Sequence, residues 1–374
     1  MSPGDRIVIA PTTHGSQGNT QTTLYIKSIS GNKIHLSSNL DQSYEASFGY
    51  TNGALKLLSA EVINLSRNVL VTGDDFKEVN CDPDLSIGEE ILGCVCNNAA
   101  SLQRSKCHVG LHTALMGKGQ IQIEYTRLEK CGQRGIQGKY CLHMHQMEET
   151  GANSVFRGNA IEYGQQRAIV IHGTHLSTIE HNVINDVRGA GIYIEDGNEM
   201  YNSIRYNAYI CPWPLKGEKY GCAIPGTDNS QADTSTNQAS LPSGVLTSLI
   251  STNTYSYIIR LEYGRRSSPH EQFLHSFITY LHFIRSLSSI NHLIGNRFAN
   301  SFNGMMFEPS AEGANGGGFA DSKVCTRALA LGRVQGNMFH GHLRFGTYFI
   351  GDNFPKKTDQ SLANNGFVTD MTTC

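Results

Sequence analysis

The sequence predicts an all-β protein, a right-handed parallel β-helix with a small N-terminal antiparallel β subregion and a non-repeat insertion. Three observations favour this class. A short asparagine-containing pattern recurs along the chain, and a short apolar strand that starts close to a glycine often follows it. The composition of 39 glycines, 10 prolines and 17% charged residues also suits many short strands joined by tight turns.

The recurring pattern is any residue, then asparagine, any residue and an apolar residue. It occurs at residues 158–161, 181–184, 206–209, 295–298 and 336–339 (GNAI, HNVI, YNAY, GNRF and GNMF). The first two intervals are 23 and 25 residues, which suits one β-helix coil. Asparagine tolerates the left-handed conformation at a turn, and its amide can bond the equivalent amide one coil away. An ordinary β-sandwich with coincidental spacing is the alternative.

The repeat predicts a register for the strands at 141–145, 168–172, 191–195 and 304–308. Side chains alternate between the two faces of a strand, so every second residue should fill the lumen of the coil. The predicted inward residues are Leu142, Ile169, Ile192 and Met305, with Met144, Ile171, Ile194 and Phe307 two positions later. The predicted outward row is His145, His172, Glu195 and Glu308.

The chain divides into five predicted regions. Residues 1–75 contain short strands separated by polar turns and form the small β subregion that leads into the helix. Residues 76–110 hold four cysteines and little periodicity, which indicates a disulfide-tied loop region. Residues 111–240 carry the β-helix coils, and residues 289–374 carry the C-terminal coils and the tail.

Residues 241–288 interrupt the repeat. They contain no aspartate, a single asparagine and two glycines, and several apolar residues fall at helical spacing. The interval from Asn207 to Asn296 is 89 residues and that from Asn296 to Asn337 is 41, so removal of 48 residues would make them equal. Two interpretations stay open, an in-frame translated intron and a genuine helical or disordered excursion from the coil.

Charge and hydropathy argue against nucleic acid binding and against a membrane span in this chain. Thirty Lys and Arg residues stand against 32 Asp and Glu residues, which gives a net charge of −2. No basic field is therefore available to hold nucleic acid. The sequence also has no run of 18 or more apolar residues that would predict a membrane span.

Ten cysteines indicate disulfides formed in an oxidising compartment. Cys131 and Cys141 flank the turn before a histidine-containing strand and are the predicted pair. Asn64 opens a glycosylation sequon, Asn-Leu-Ser. The N-terminus has no secretory signal pattern, so we expect this chain to be part of a longer secreted or membrane-anchored protein that is extracellular or at the cell surface.

Several strings resemble a known family. They stand at residues 3–10, 65–73, 138–145, 167–175 and 195–199 (PGDRIVIA, LSRNVLVTG, GKYCLHMH, RAIVIHGTH and EDGNE). The chain resembles the β-helix region shared by the cell-migration-inducing hyaluronan-binding protein and the fibrocystins. This resemblance implies a right-handed parallel β-helix in a secreted or cell-surface protein. It also implies either depolymerisation of hyaluronan or a receptor-like role without catalysis.

The outward row is the candidate site. Residues on successive coils lie about 5 Å apart, close enough to share a metal ion, a proton or a sugar hydroxyl. If the row is catalytic, His145 or His172 would act as the general base or as a ligand of a divalent metal, and Glu195 or Asp196 as the acid. The alternative is structural, with stacked histidines that hydrogen-bond neighbouring turns under a covering loop.

Five further residues are predicted to contact a substrate. His143 shares the outer face of its strand with His145, and Tyr193 lies two coils above it. Arg167 and Arg188 precede neighbouring strands and could pair with uronate carboxylates. His175 completes the set as a further histidine of the same strings.

Two functions follow from these residues. The first is a non-catalytic extracellular module of fibrocystin type that binds a polysaccharide or glycoprotein, or assembles with copies of itself into an oligomer or filament. The second is a carbohydrate-active enzyme, a hyaluronidase-like glycoside hydrolase that cleaves an anionic polysaccharide. No cofactor is required by the first function, and a divalent metal would be compatible with the second.

Overall fold

The structure is a computed structural model, and it describes residues 1–12, 21–51, 54–73, 110–132, 138–164, 166–187, 189–195, 199–212, 282–286, 290–301, 303–307, 331–342 and 345–349. The predicted cysteine-rich region up to residue 109 and residues 241–281 of the predicted insertion lie outside these ranges. Regular structure in the described ranges is β-strand apart from one 3₁₀ helix at Glu149–Asn153. None of their helices has the length and hydrophobicity needed to cross a bilayer.

The first six strands form the small N-terminal subregion. They are β1 (Arg6–Ile9), β2 (Thr22–Ser30), β3 (Lys33–Leu36), β4 (Ser47–Thr51), β5 (Ala54–Leu58) and β6 (Val62–Asn64). Four of them make an antiparallel sheet in the order β3-β2-β1-β6, and β4 and β5 make a separate antiparallel hairpin. The predicted antiparallel subregion is confirmed.

Twenty further strands follow in chain order and build the coils. They are β7 (Val69–Thr72), β8 (Leu115–Met116), β9 (Gln122–Glu124), β10 (Thr126–Glu129), β11 (Leu142–Glu148), β12 (Val155–Arg157), β13 (Ala160–Gly164), β14 (Ile169–Thr174), β15 (Thr178–Glu180), β16 (Val183–Val187), β17 (Ile192–Ile194), β18 (Ser203–Arg205), β19 (Ala208–Ile210), β20 (His282–Ser286), β21 (His292–Ile294), β22 (Arg297–Ala299), β23 (Asn303–Phe307), β24 (Val334–Gln335), β25 (Met338–His340) and β26 (Phe345–Phe349).

These strands line up as three parallel sheets, which are the walls of a β-helix. The first wall is β7-β10-β13-β16-β19-β22-β25, the second is β8-β11-β14-β17-β20-β23-β26, and the third is β9-β12-β15-β18-β21-β24. Neighbours within a wall come from successive coils and pair in parallel. The predicted parallel β-helix is confirmed.

The lumen is filled by the inward residues of all three walls. In the second wall Leu142 pairs with Ile169 and Ile169 pairs with Ile192, as the repeat predicts. Two positions along, Met144 pairs with Ile171. All of these side chains are buried in one apolar cluster with residues of the other walls, including Leu128, Phe156, Ile161, Ile179, Ile184, Ile204, Leu293 and Phe298.

The asparagines of the repeat form a buried ladder between coils. The amide of Asn159 donates to Asn182 and that of Asn182 donates to Asn207, both at 3.0 Å. The ladder continues to Asn296 and Asn337. The left-handed backbone, however, belongs to the residue before each asparagine and not to the asparagine itself, with φ of 65°, 55°, 56°, 63° and 67° at Gly158, His181, Tyr206, Gly295 and Gly336. Asparagine is needed here for its amide, which both donates and accepts.

The strand β20 corrects the predicted boundary of the insertion. Residues 282–286 were expected to be non-repeat sequence, yet they pair in parallel with β17 on one side and β23 on the other. The second wall therefore contains one more coil between Ile192 and Met305 than the repeat predicts. Residues 282–286 thus belong to the coils, and the other bounds of the insertion stay predictions because its remaining residues lie outside the described ranges.

The N-terminal sheet packs against the outer face of the first wall. Val8, Ala10, Ile63 and Leu65 form a buried cluster with Ala160, Ile210 and Ala299 of that wall. Small residues on the wall allow the two layers to approach closely. Arg6 adds a bidentate ion pair to Glu162, with N–O distances of 2.6 and 2.8 Å. The two parts thus share one interface, which leaves the second wall to carry the candidate site.

Candidate functional site

The predicted histidine row lies on the second wall. His145 of β11 pairs directly with His172 of β14, and the N–H of Glu195 donates to the carbonyl of Ile171 at 3.0 Å. These pairings place His145, His172 and Glu195 on three successive coils. The parallel stack with a fixed register is what brings together residues that are 27 and 23 positions apart in the sequence.

Three imidazole rings form a compact cluster. The ring centroids of His145 and His172 are 4.5 Å apart and nearly perpendicular, and His143 stands 5.1 Å from His145 in a similar edge contact. His143 and His172 are parallel at 6.1 Å. His145 and His172 are partly exposed, whereas His143 is 1% exposed. The cluster therefore has an open side and a closed side.

Glu195 lies on the closed side, and its two oxygens face different partners. Tyr140 donates its hydroxyl hydrogen to Oε1 at 3.1 Å, and a guanidinium nitrogen of Arg167 is 3.8 Å from the same oxygen. Oε2 lies 3.6 Å from Nδ1 of His172. The buried carboxylate thus has a cation behind it and an imidazole in front of it.

Arg167 and Tyr193 are enclosed, which changes their predicted role. The guanidinium of Arg167 donates to the Tyr140 hydroxyl at 2.9 Å and lies 3.7 Å from the ring centroid of Tyr193. Arg167 is 1% exposed and Tyr193 is 4% exposed. The predicted contacts of Arg167 with a uronate and of Tyr193 with a sugar ring stay predictions, and in this structure Arg167 contacts both Tyr193 and Glu195. The outer face of the second wall is covered here by a small second core that also contains Val170 and Ala190.

Burial dominates the electrostatics of His143. Desolvation lowers the pKa of its imidazole to about 3, although Glu195 raises it, and the nearby His145 and His172 lower it further. Its ring is therefore neutral at physiological pH. The backbone of Gly138 has the smallest influence on this pKa, and neither ring nitrogen makes a hydrogen bond of ordinary length with the described residues.

His175 is also buried but serves the stacking of the coils. Its Nδ1 accepts a hydrogen bond from the Met200 N–H at 3.1 Å, and its own N–H donates to the carbonyl of Glu148. Desolvation lowers its pKa to about 4, partly offset by Glu148. The remaining predicted site residues, Asp196 and Arg188, lie outside the described residues.

Tyr140 is a site residue that the sequence reasoning missed. It precedes β11 by two positions, in a segment that reads as a turn, and it is fully buried. Its ring meets His143 edge-on at 4.8 Å, and its hydroxyl connects Arg167 to Glu195. The string of residues 138–141 carries part of the family resemblance, but nothing in its spacing indicates that Tyr140 packs on the outer face of the wall.

Comparisons with known proteins point to one family. Residues 108–254 match the CEMIP beta-helix family model. The chain is 35% identical to human fibrocystin-L over 226 residues and 32% identical to mouse fibrocystin-L over 223 residues. The resemblance to the CEMIP and fibrocystin β-helix region is confirmed. The matched residues 108–254 include every described residue of the histidine cluster.

The matches cover only a small part of each relative, so the function of a whole relative does not carry over to this chain. The aligned regions cover 56% and 55% of this chain, but only 5% of the length of each fibrocystin-L. Communication mutant protein F of Dictyostelium discoideum is 26% identical over 210 residues, which are 55% of this chain and 16% of that protein. No solved structure matches the chain significantly. The comparisons therefore show similarity to the CEMIP and fibrocystin-L β-helix region, and they do not show the function of a whole relative.

Two further predictions fall within or beside the β-helix. Cys131 and Cys141 form the predicted disulfide, with their Cα atoms 4.9 Å apart. It joins the end of a first-wall strand to the start of the histidine strand. Asn64 lies in β6, where its amide donates to Asp5 at 2.7 Å and its carbonyl oxygen accepts from the Ser66 N–H at 2.8 Å. Glycosylation of Asn64 stays a prediction.

Proposed function

We propose that this chain is an extracellular glycan-binding module of fibrocystin type, and that the glycan contacts the second wall at His145 and His172. The observation that carries the proposal is the open side of the histidine cluster. Two partly exposed imidazoles, 4.5 Å apart and almost perpendicular, stand on adjacent coils of a rigid wall. Adjacent polar groups at this separation can bind neighbouring hydroxyl groups of one sugar unit.

The layer beneath these imidazoles supports the same interpretation. Glu195 is within ion-pair distance of His172, and Tyr140 and Arg167 hold its other oxygen. Such a supporting layer fixes the orientation of the exposed ring and so lowers the entropy lost on binding. Binding sites for small polar ligands commonly combine a few fixed polar groups with a preformed surface.

A carbohydrate-active enzyme is the second candidate, and one observation favours it. A buried carboxylate next to an imidazole, as in Glu195 and His172 at 3.6 Å, is an arrangement that can move a proton. Glycosidases of the common kind, however, use two carboxyl groups across the scissile bond. Within the described part of the cluster, Glu195 is the one carboxylate, and the predicted second acid, Asp196, lies outside it. The described geometry supports binding more directly than hydrolysis.

A glycan panel tests the proposal. The full chain is titrated with hyaluronan, chondroitin sulfate and neutral glucan oligosaccharides, and binding is followed by calorimetry. We expect the double variant His145→Ala/His172→Ala to lose binding at least tenfold, since it removes both exposed imidazoles. The matched control is His181→Ala, which alters an exposed histidine on the turn between the third and first walls.

The outcomes of the glycan titration distinguish binding at this wall, absence of binding and hydrolysis. Equal binding by the double variant and the wild type would exclude this wall as the contact surface. Absence of binding to the whole panel would contradict the glycan proposal. Release of new reducing ends by the wild type but not by Glu195→Gln would establish the enzymatic alternative in its place. Assembly into an oligomer or filament stays a prediction, which size-exclusion chromatography of the same samples tests.

A further inference from the structure

Three side chains of the cluster converge on one point. His143, His172 and Glu195 each offer one ligand atom, a ring nitrogen or a carboxylate oxygen, and these atoms all lie within 4.8 Å of one another. In a tetrahedral zinc site with bonds of about 2.0–2.2 Å, ligand atoms stand about 3.3–3.6 Å apart. Nδ1 of His172 and Oε2 of Glu195 are already at 3.6 Å. Small rotations of the imidazoles would therefore bring all three into coordinating distance.

The carboxylate is oriented as a metal ligand would need to be. Tyr140 and Arg167 both act on Oε1, which leaves Oε2 on the side of the imidazoles. A hydrogen-bonded outer oxygen is typical of ligating carboxylates, because it fixes the direction of the other oxygen. Arg167 lies 3.8 Å from Oε1, on the side of the carboxylate away from the imidazoles.

His143 provides an independent indication. The side chain is 1% exposed, and although its ring interacts with the backbone of Gly138, neither ring nitrogen meets the usual distance and angle limits of a hydrogen bond with the described residues. Buried polar atoms in folded proteins nearly always have a partner, and an ion is one of the few that explain an exception. The ring stacks parallel to His172, so the two imidazoles border the same space in front of Glu195.

We propose that His143, His172 and Glu195 bind a divalent metal ion, and that zinc is the ion their donors suit best. Two imidazole nitrogens and one carboxylate oxygen are a three-ligand set that zinc accepts, with a fourth position left for water or a ligand hydroxyl. This set differs from the predicted pair of His145 and His172. His145 stands beside it on the open side, where a bound molecule would approach. The inference goes beyond glycan binding and does not depend on it.

Zinc titration of the full chain tests the site without any glycan. Metal is removed with a chelator, and binding of Zn²⁺ is measured by calorimetry, with Co²⁺ absorption as a second readout of the ligand geometry. We expect one site in the wild type. Glu195→Gln keeps the volume and the acceptor for Tyr140 but removes the anionic ligand, and His172→Ala removes a nitrogen ligand. Both should abolish the site and its Co²⁺ spectrum.

The variant Tyr140→Phe tests whether Tyr140 positions Glu195 for metal binding without binding the metal itself. Loss of its hydrogen bond to Glu195 should weaken Zn²⁺ binding about 10- to 100-fold while one site is kept. His181→Ala is the matched control and should bind as the wild type does. Circular dichroism establishes that each variant is folded. Because His172 is partly exposed, His172→Ala tests the site even if a substitution of a buried residue prevents folding.

Two results would overturn the assignment. One is a wild-type chain that binds no Zn²⁺ in this titration. The other is an unchanged stoichiometry and affinity in folded His172→Ala and Glu195→Gln, which would place the ion elsewhere in the chain. Loss of zinc binding with retained glycan binding would leave the proposed function intact. Loss of glycan binding alone in His145→Ala would leave the metal site intact.

Discussion

Arg167 is one of the largest fully buried side chains, and three neighbours accommodate its charge. Its guanidinium lies over the Tyr193 ring, donates to Tyr140 and stands 3.8 Å from Glu195. A buried charge without a partner would cost several kcal/mol, so each member of this group constrains the others. The result is a carboxylate held in one orientation on the closed side of the histidine cluster.

His175 predicts a pH dependence of stability at the residue scale. Burial lowers the pKa of its imidazole from 6.5 to about 4, so the unfolded chain binds this proton more tightly than the folded chain. The stabilising effect is fully present above pH 6.5 and is lost as the pH falls towards 4. Thermal unfolding between pH 4.5 and 7.5 should therefore show a falling midpoint at lower pH, and His175→Asn should reduce that slope.

His35 supplies the control for that measurement. It lies exposed in β3, so His35→Asn should leave the pH dependence unchanged. Identical slopes for the wild type and His175→Asn would show that His175 has the same pKa in the folded and the unfolded chain. The buried His143, whose pKa is also lowered, adds a contribution of the same sign that both proteins retain.

At the scale of the element, the coils are joined by side-chain ladders as well as by strand pairing. Asn182 accepts hydrogen bonds from both the N–H and the amide of Asn159, and it donates to the carbonyl of Phe156 and to Asn207. A second ladder runs from Ser177 through Asn202 to Asn291. An asparagine suits each inner step of the ladders, because the same side chain must donate to one coil and accept from another.

Asn182→Ala should consequently destabilise the coil strongly. It leaves buried partners on both neighbouring coils unsatisfied, at about 1–3 kcal/mol for each group that loses its hydrogen bond. The midpoint of thermal or urea unfolding measures the effect. Asn153→Ala, at an exposed position in the 3₁₀ helix, is the control and should change stability little. A similarly small change of the unfolding midpoint in both variants would mean that the asparagine ladder does not stabilise the stacked coils.

At the scale of the whole molecule, the N-terminal sheet and the β-helix are fixed to each other by a mixed interface. Glu162 of the first wall is fully buried and receives Arg6 from β1 and Arg127 from β10. Glu61 contacts His340 and lies 3.8 Å from Arg297. The two layers are also joined by apolar packing of Val8, Ala10, Ile63 and Leu65 against the first wall.

Arg6→Met should loosen this interface more than it unfolds the coils. It removes two charged hydrogen bonds to Glu162, each worth about 1.5–3 kcal/mol, while Arg127 keeps a partial partner for the carboxylate. We expect faster amide exchange in β1 and β2 and faster proteolysis between the sheet and the wall. Lys33→Met, at an exposed position of β3, is the control. Unchanged exchange in β1 would show that apolar contacts alone hold the sheet.

Particular residues show how far sequence reasoning reached into the site. The pairing of His145 with His172 followed from the repeat, because strands of a parallel stack copy one register from coil to coil. The burial of Arg167 and the position of Tyr140 did not follow from it. Both depend on side chains from turns and neighbouring coils that pack together on the outer face of the wall, and alternation within a strand gives no information on such packing.

The sequence by itself determined the β-helix, its asparagine ladder and the register of the histidine row, since these repeat locally along the chain. Only the tertiary structure decided that β20 belongs to the second wall and that the cluster is open at His145 and closed at His143 and Glu195. Such features arise where residues from different coils pair within a wall or pack on its outer face. Their physical cause is packing between segments, which no single repeat unit encodes.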